Sequence, residues 1–345
     1  MKTPVVLFSL IVLIFTACAP DETIQPIQQK GLFEQGCFIL NEGGFGHQNA
    51  SIDFYDYTAD SLYKSVFSTQ NGYGIGDVLQ SSLSLGADYY FVVNNSSKLV
   101  RTDSNLQVIH EVEQIQSPRY IASHGDKLFV SDLFAQEIHI VDPNLGAKTN
   151  AIPTSSWTEG IIVWEDYLLV CQPTANQVLL IDANTNSKLD SIELEGQPSF
   201  IVKDEANDFW VLGSGDYTGI EWSHLGKLQV ENQTLNVIFN ESIGDVAGLF
   251  PKLAYNQADQ LLYLAIGNTI YAQPASSNSL DLSIVFESTA QSVYNIAYNP
   301  HEKEILVADA KDYVQNGTIW RHSNNGQLVG QLQVGIIPNG VLCID

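Results

Sequence analysis

Apolar and polar positions alternate with period 2 through short runs of this chain. Lys127–Asp132 alternates around Phe129, and in Glu137–Asp142 the side chains of Ile138 and Ile140 fall on one face. Such runs predict short antiparallel strands packed between neighbouring sheets. The runs recur in blocks. Residues 118–130 and 158–170 are the clearest copies, each followed by a polar loop and a β run ending in Asp142 or Asp182. Gly125-Asp126 and Gly86-Ala87-Asp88 supply tight hairpin connections between first and second strands.

Aligned on one apolar anchor per block, the copies fall at Leu83, Ile121, Ile161, Ile201, Ala254, Ile296 and Val341. Most steps are about 38–45 residues, near the period of propeller blades. The step from Ile201 to Ala254 is longer, which places a long loop or an extended outer hairpin within residues 213–240. After the last anchor the sequence has room for one strand only. Residues 37–42 read as a second strand with no first strand before them, followed by strands at 51–56 and 62–67. The C-terminal strand therefore completes the N-terminal blade, which closes the ring and removes a free sheet edge. The expected fold is all-β, a seven-bladed β-propeller. Six or eight blades follow if the degenerate fifth and sixth blocks are divided differently.

A repeat closed by both termini is one domain, here 36–345. The chain carries 15 Lys and Arg against 39 Asp and Glu, a net charge of −24. That surface repels phosphate backbones, so no nucleic acid partner is expected. It also argues against docking on anionic lipid through charge. Its plainest consequence is solubility.

The first residues fall outside the repeat. Lys2 precedes an apolar run, 4–15, which ends Phe15-Thr16-Ala17-Cys18. This resembles a bacterial lipoprotein signal: 1–17 would be removed, Cys18 lipidated, and 18–35 left as a polar tether. Phe15 stands where Leu is usual. An ordinary signal peptide with an incidental cysteine is the alternative. Asp21-Glu22 resembles the acidic export signals of Bacteroidetes surface lipoproteins. The expected location is the outer membrane, at the cell surface, held by acyl chains.

Cys37, Cys171 and Cys343 lack metal-ligand spacing. Under the closure model Cys343 falls where Ser123 falls in the third blade, and Cys37 where Leu128 falls. These two positions face each other across a hairpin. Cys37 and Cys343 are thus expected as cross-strand neighbours, either disulfide-bonded or as two small buried thiols. Cys171 has no evident partner.

The most unusual segment is 39–56, Ile-Leu-Asn-Glu-Gly-Gly-Phe-Gly-His-Gln-Asn-Ala-Ser-Ile-Asp-Phe-Tyr-Asp. Gly43, Gly44 and Gly46 allow a close backbone approach, for a ligand or simply for packing. The loop opens no helix, so it is not a dinucleotide fingerprint. With Gly76-Asp77-Val78 some 30 residues later, and the blade pattern over 37–345, the chain resembles the YncE-like propeller lipoproteins of Bacteroidetes. Within that group it resembles the cobalamin-binding BtuG type, which caps a TonB-dependent outer-membrane transporter. The resemblance implies non-catalytic capture of a small molecule such as cobalamin, with hand-over to the transporter. Leu79-Gln80-Ser81 departs from the Gly-Asn-Asp-like step of those relatives and leaves the ligand open.

Aromatic and amide residues gather on the predicted loops of one face. Phe45, His47, Tyr73 and Asp77 come from the first loops, Asn94, Asn95 and Arg119 from the next. Phe134, Trp157, Gln172, Tyr217 and Trp222 follow, then Asn295, Tyr313 and Asn339. A flat macrocycle fringed with amides would use aromatic edges and amide partners of this kind. A glycan or a protein would use them too, so an interaction scaffold is the first alternative. His47 offers an imidazole for cobalt, although a solvated loop histidine is the plainer reading. His110, His124, His139, His301 and His322 form no zinc pair.

No G-x-S-x-G motif occurs. A calcium-dependent, lactonase-like hydrolase is the second alternative. It would use residues heading the inner strands: Ser82, Arg119, Glu159, Ser199, Lys252, Asn295 and Asn339. Glu159, Asn295 and Asn339 are donors suited to a hard cation. Arg119 and Lys252 in the same ring oppose it. No cofactor is expected.

Overall fold

The computed structural model describes residues 31–216, 218–244 and 251–344. The signal segment, Cys18, residues 19–30 of the tether and Tyr217 lie outside the described residues. Seven four-stranded antiparallel sheets form the blades of a propeller. The innermost strands are Pro338–Ile344, Leu79–Leu85, Pro118–His124, Ile161–Trp164, Pro198–Lys203, Lys252–Asn256 and Val293–Asn299. Each carries one of the seven sequence anchors.

Ring closure follows the expected route. Pro338–Ile344 pairs with Gly36–Asn41, which continues through Ser51–Asp56 to Ser61–Tyr63. Cys37 faces Cys343 in register, and their sulfurs are bonded at 2.04 Å. Cys171 is buried and free.

The core lies between blades. Phe129, Ile138 and Ile140 of the third blade pack on Leu168, Val170, Leu179 and Ile181 of the fourth. Phe38 and Phe54 meet Tyr89 and Phe91 at the first interface. Ile39 and Tyr55 meet Leu306 and Ile319 where the ring closes. Second strands are covered on both faces, so Leu128 through Asp132 are all buried despite their alternation. The aspartates ending the third strands cap the next turn. Asp142 Oδ1 accepts the N–H groups of Asn144 and Leu145, and Asp182 Oδ1 those of Asn184 and Thr185.

The surplus in the fifth blade is divided between two features. Ser223–Glu231 and Thr234–Gly244 make a long outer hairpin, and the connection before it, from 214 to 222, is also long. One expected strand is mostly absent. Only Ser61–Tyr63 pairs in the first blade, and Val66–Asn71 is a short helix rather than the rest of a strand over 62–67. Val66 and Phe67 are buried in the first core cluster, and Phe67 packs edge-on to Tyr73. Tertiary burial overrides the β preference of the apolar residues there.

Candidate ligand pocket on the propeller axis

Two sets of segments crowd one face: the connections between second and third strands, and the leads into the innermost strands. They enclose a cavity of about 750 Å³ over the axis. Its wall includes Glu42, Phe45, Gln80, Asn94, Arg119, Tyr120, Trp157, Glu159, Phe200, Lys252, Tyr294 and Asn339. A second cavity of about 290 Å³ lies among the innermost strands. Gln80, Tyr120, Phe200 and Asn339 line both, so these four form the neck between them.

Charged groups are arranged around that neck. Arg119 Nε lies 3.0 Å from both carboxylate oxygens of Glu159, and its Nη1 donates to Gln80 Oε1. Burial opposes the Arg119 charge, but Glu159 outweighs that and holds the guanidinium firmly protonated. Tyr294 donates its hydroxyl to Glu42 Oε2 at 2.9 Å. Burial nevertheless pushes the Glu42 carboxyl up to about 7, against the pull of Tyr294, Arg119 and Lys252. Lys252 is different. Among the described residues its ammonium has no hydrogen-bond acceptor and no ion-pair partner. It sits 4.9 Å from the Phe200 ring centroid and 5.6 Å from that of Tyr294. Burial pulls its pKa down to about 8.

Of the residues singled out in the sequence, Phe45, Asn94, Arg119, Trp157 and Asn339 line the axial cavity. Asn295 lines the lower one and donates to the Asn339 carbonyl. Phe134 and Trp157 share a side pocket of about 460 Å³. Tyr313 packs edge-on behind Tyr294.

Others shape loops rather than the cavity. Asp77 is buried and accepts from the Gly46 N–H at 2.8 Å and from Asn95 Nδ2 at 2.7 Å, which fixes the glycine loop. Gly76, at φ +134°, could not carry a Cβ, which would meet Ser96 Oγ at 2.5 Å. Gln172 is fully buried and donates to the Ser156 carbonyl, steadying the segment that presents Trp157. His47 is exposed, with Nδ1 against the Phe45 carbonyl. Tyr73 reaches Glu111 at the outer edge of the second blade. Trp222 is half exposed on the fifth-blade loop.

The three residues suited to calcium are already engaged. Glu159 is held by Arg119, Asn295 Oδ1 accepts the Ile296 N–H, and Asn339 Oδ1 accepts from Asn295 Nδ2. Among the described residues no three His, Cys, Asp or Glu side chains converge as metal ligands.

Glu42, Gln80, Tyr120, Phe200 and Tyr294 were not singled out as ligand contacts. Tyr120 and Phe200 immediately precede the anchors Ile121 and Ile201, a signal available in the alignment. Tyr294 stands two residues before its anchor Ile296, as Arg119 and Asn339 stand before theirs, whereas Gln80 stands three before Leu83; both lie in β-bulges, at 79–81 and 293–295. A bulge adds a residue on one strand and re-aims its side chains. It carries Tyr294 to the axial cavity and leaves Asn295 in the lower one.

A family model described as a domain of unknown function, DUF5074, matches residues 35–335. The chain belongs to the DUF5074 family. Solved structures similar to this DUF5074 chain are propellers of low sequence identity. A provisionally named 6-phosphogluconolactonase from Bacteroides fragilis superposes with TM-score 0.67 at 13% identity, covering 90% of this chain and 98% of its own. A protein from Lactobacillus plantarum gives 0.66 at 14%, covering 91% and 100%. A quinonprotein alcohol dehydrogenase-like protein from Bacteroides thetaiotaomicron gives 0.66 at 13%, covering 90% and 78%. At such identities the likeness carries the propeller fold and no activity.

Proposed function

We propose that this DUF5074 protein captures a small organic ligand in the axial cavity and performs no chemical step on it. The observation that carries the reading is the cavity itself. Its 750 Å³ suits a small-molecule site. Its wall alternates aromatic faces from Phe45, Trp157, Phe200 and Tyr294 with amides from Gln80, Asn94 and Asn339. A rigid wall of this kind binds without a large ordering cost.

Cobalamin is the named candidate, on the sequence resemblance to the cobalamin-binding lipoproteins. In this reading Cys18 is lipidated, the propeller stands at the outer-membrane surface, and the ligand passes to a TonB-dependent transporter. The test is a titration of cobalamin into the purified full chain, followed by tryptophan fluorescence with Trp157 as the reporter in the wall. Saturable quenching and co-elution of the coloured ligand support capture. A flat titration to micromolar ligand removes cobalamin.

A second reading, the interaction scaffold, is favoured by one observation. Phe45, Phe134, Ile220, Trp222 and Val314 are all more than half exposed on connections between second and third strands. A partner protein would cover such residues. A hydrolase reading would instead require ester cleavage that is lost in Glu159→Gln.

A further inference from the structure

Among the described residues, one cation in the axial cavity wall has no ion-pair partner. The two cations in its wall are Arg119 and Lys252. Arg119 is satisfied by Glu159 and Gln80. Lys252 is not. The Phe200 and Tyr294 rings flank its ammonium, and no carboxylate among the described residues is within ion-pair distance. Of the other acidic groups facing this space, Glu42 accepts from Tyr294, and Asp216 accepts from the Thr218 hydroxyl and the Ile220 N–H.

A half-buried ammonium without an acceptor is costly, and the surface of this chain could have supplied an acid cheaply, given 39 Asp and Glu against 15 Lys and Arg. Aromatic rings soften the charge but accept no hydrogen bond from it. The three ammonium donors therefore remain available to something entering from the loop face.

We propose that the axial cavity takes a ligand bearing an anionic group, carboxylate or phosphate, which Lys252 Nζ receives while the aromatic wall holds the rest of the molecule. This rests on the capture reading and names the ligand chemistry within it. Arg119 contributes positive potential but is locked by Glu159, so Lys252 makes the direct contact. The pair Glu42 and Tyr294 faces the same space. Anion binding draws Lys252 toward its charged form, and burial holds Glu42 largely protonated at pH 6, so it does not compete for the ammonium. Outside the cavity the net charge of −24 repels the ligand, and salt screens that repulsion more than the short contact within.

The test uses three probes of one shape: phenyl phosphate, benzoate and neutral benzamide. Each is titrated into the purified full chain at pH 6 by calorimetry. An anionic probe is expected to bind at least about tenfold more tightly than benzamide, the effect of one hydrogen bond to a charged group. Lys252→Gln should remove that preference and Lys252→Arg should keep part of it. Circular dichroism confirms that each variant keeps its strands. The two anions report whether phosphate or carboxylate is preferred. Equal binding of anions and benzamide, no measurable binding of any probe, or an undiminished preference in Lys252→Gln overturns the proposal. Cobalamin separates the two readings. If cobalamin binds and the anion preference is absent, capture stands and the anion seat fails. If the anions bind through Lys252 and cobalamin does not, the seat stands and the vitamin is wrong.

Discussion

Arg119 of the third blade grips Glu159 at the lip of the fourth, with Nε 3.0 Å from each carboxylate oxygen. The contact joins neighbouring blades where the innermost strands begin. Both side chains are mostly sheltered, at 22% and 11% exposure, so water replaces little of what is lost when one is removed.

Arg119→Met leaves the Glu159 charge uncompensated. Partial exposure discounts the usual cost of a broken buried pair, and a loss of about 2–3 kcal/mol is expected. Adding Glu159→Gln should recover at least half, because the stranded charge is gone. Urea midpoints of the two single variants and the double variant measure this coupling.

Cys37 and Cys343 lie 306 residues apart and close the ring covalently. The cross-link confines nearly the whole described chain in the unfolded state. Replacing both by serine should lower stability by roughly 2–5 kcal/mol while leaving strand content unchanged. Chemical denaturation without reductant, compared with the wild type under reductant, checks that the two behave alike. A midpoint indifferent to both treatments would contradict this account of closure.

Glu42 makes stability depend on pH. Burial raises its folded pKa from 4.5 to about 7. The folded chain therefore holds a proton that the unfolded chain releases. The contribution is fully present below pH 4.5 and is lost as pH rises through about 7. Glu42→Gln keeps an acceptor for Tyr294 and carries no charge. It should flatten the dependence between pH 5 and 7 and stabilise the protein at pH 8, by up to about 3 kcal/mol. Lys252 works in the opposite sense at higher pH. Its folded pKa is depressed to about 8, so its contribution is full above its ordinary 10.5 and falls as pH drops through 8. Urea midpoints across pH 5–10.5 separate the Glu42 slope, below about 7, from that of Lys252, above about 8.

Much of the fold is legible in the sequence. Period-2 runs and a recurring block located all seven innermost strands, because each blade repeats one burial pattern. The same alignment put Cys37 opposite Cys343. The exception over 62–67 arises because Val66 and Phe67 reach the core from a short helix, and their apolar character is equally compatible with a strand. The pocket was less legible. Arg119 and Asn339 follow from their place at the head of inner strands, and Trp157 from the loop that leads into one. Tyr294 occupies the same place, two residues before Ile296, while Gln80 lies one residue further from its anchor in a bulge that re-aims the strand. Asp77 and Gln172, named as ligand contacts in the sequence, are buried outside the axial cavity wall, where Asp77 accepts from the Gly46 N–H and the Asn95 amide and Gln172 donates to the Ser156 carbonyl.

The central claim is that recognition occurs inside the axial cavity. Ser199 lines it, and among the described residues its hydroxyl donates to the Gln197 carbonyl alone. Ser199→Trp would fill the space with little demand on the blades. Cobalamin and the anionic probes should be titrated into wild type and Ser199→Trp side by side, with thermal melts to confirm equal folding. The account predicts saturable binding of at least one of them to the wild type and a loss of about tenfold or more in the variant. Binding undiminished by the tryptophan, or no binding to the wild type, would contradict it.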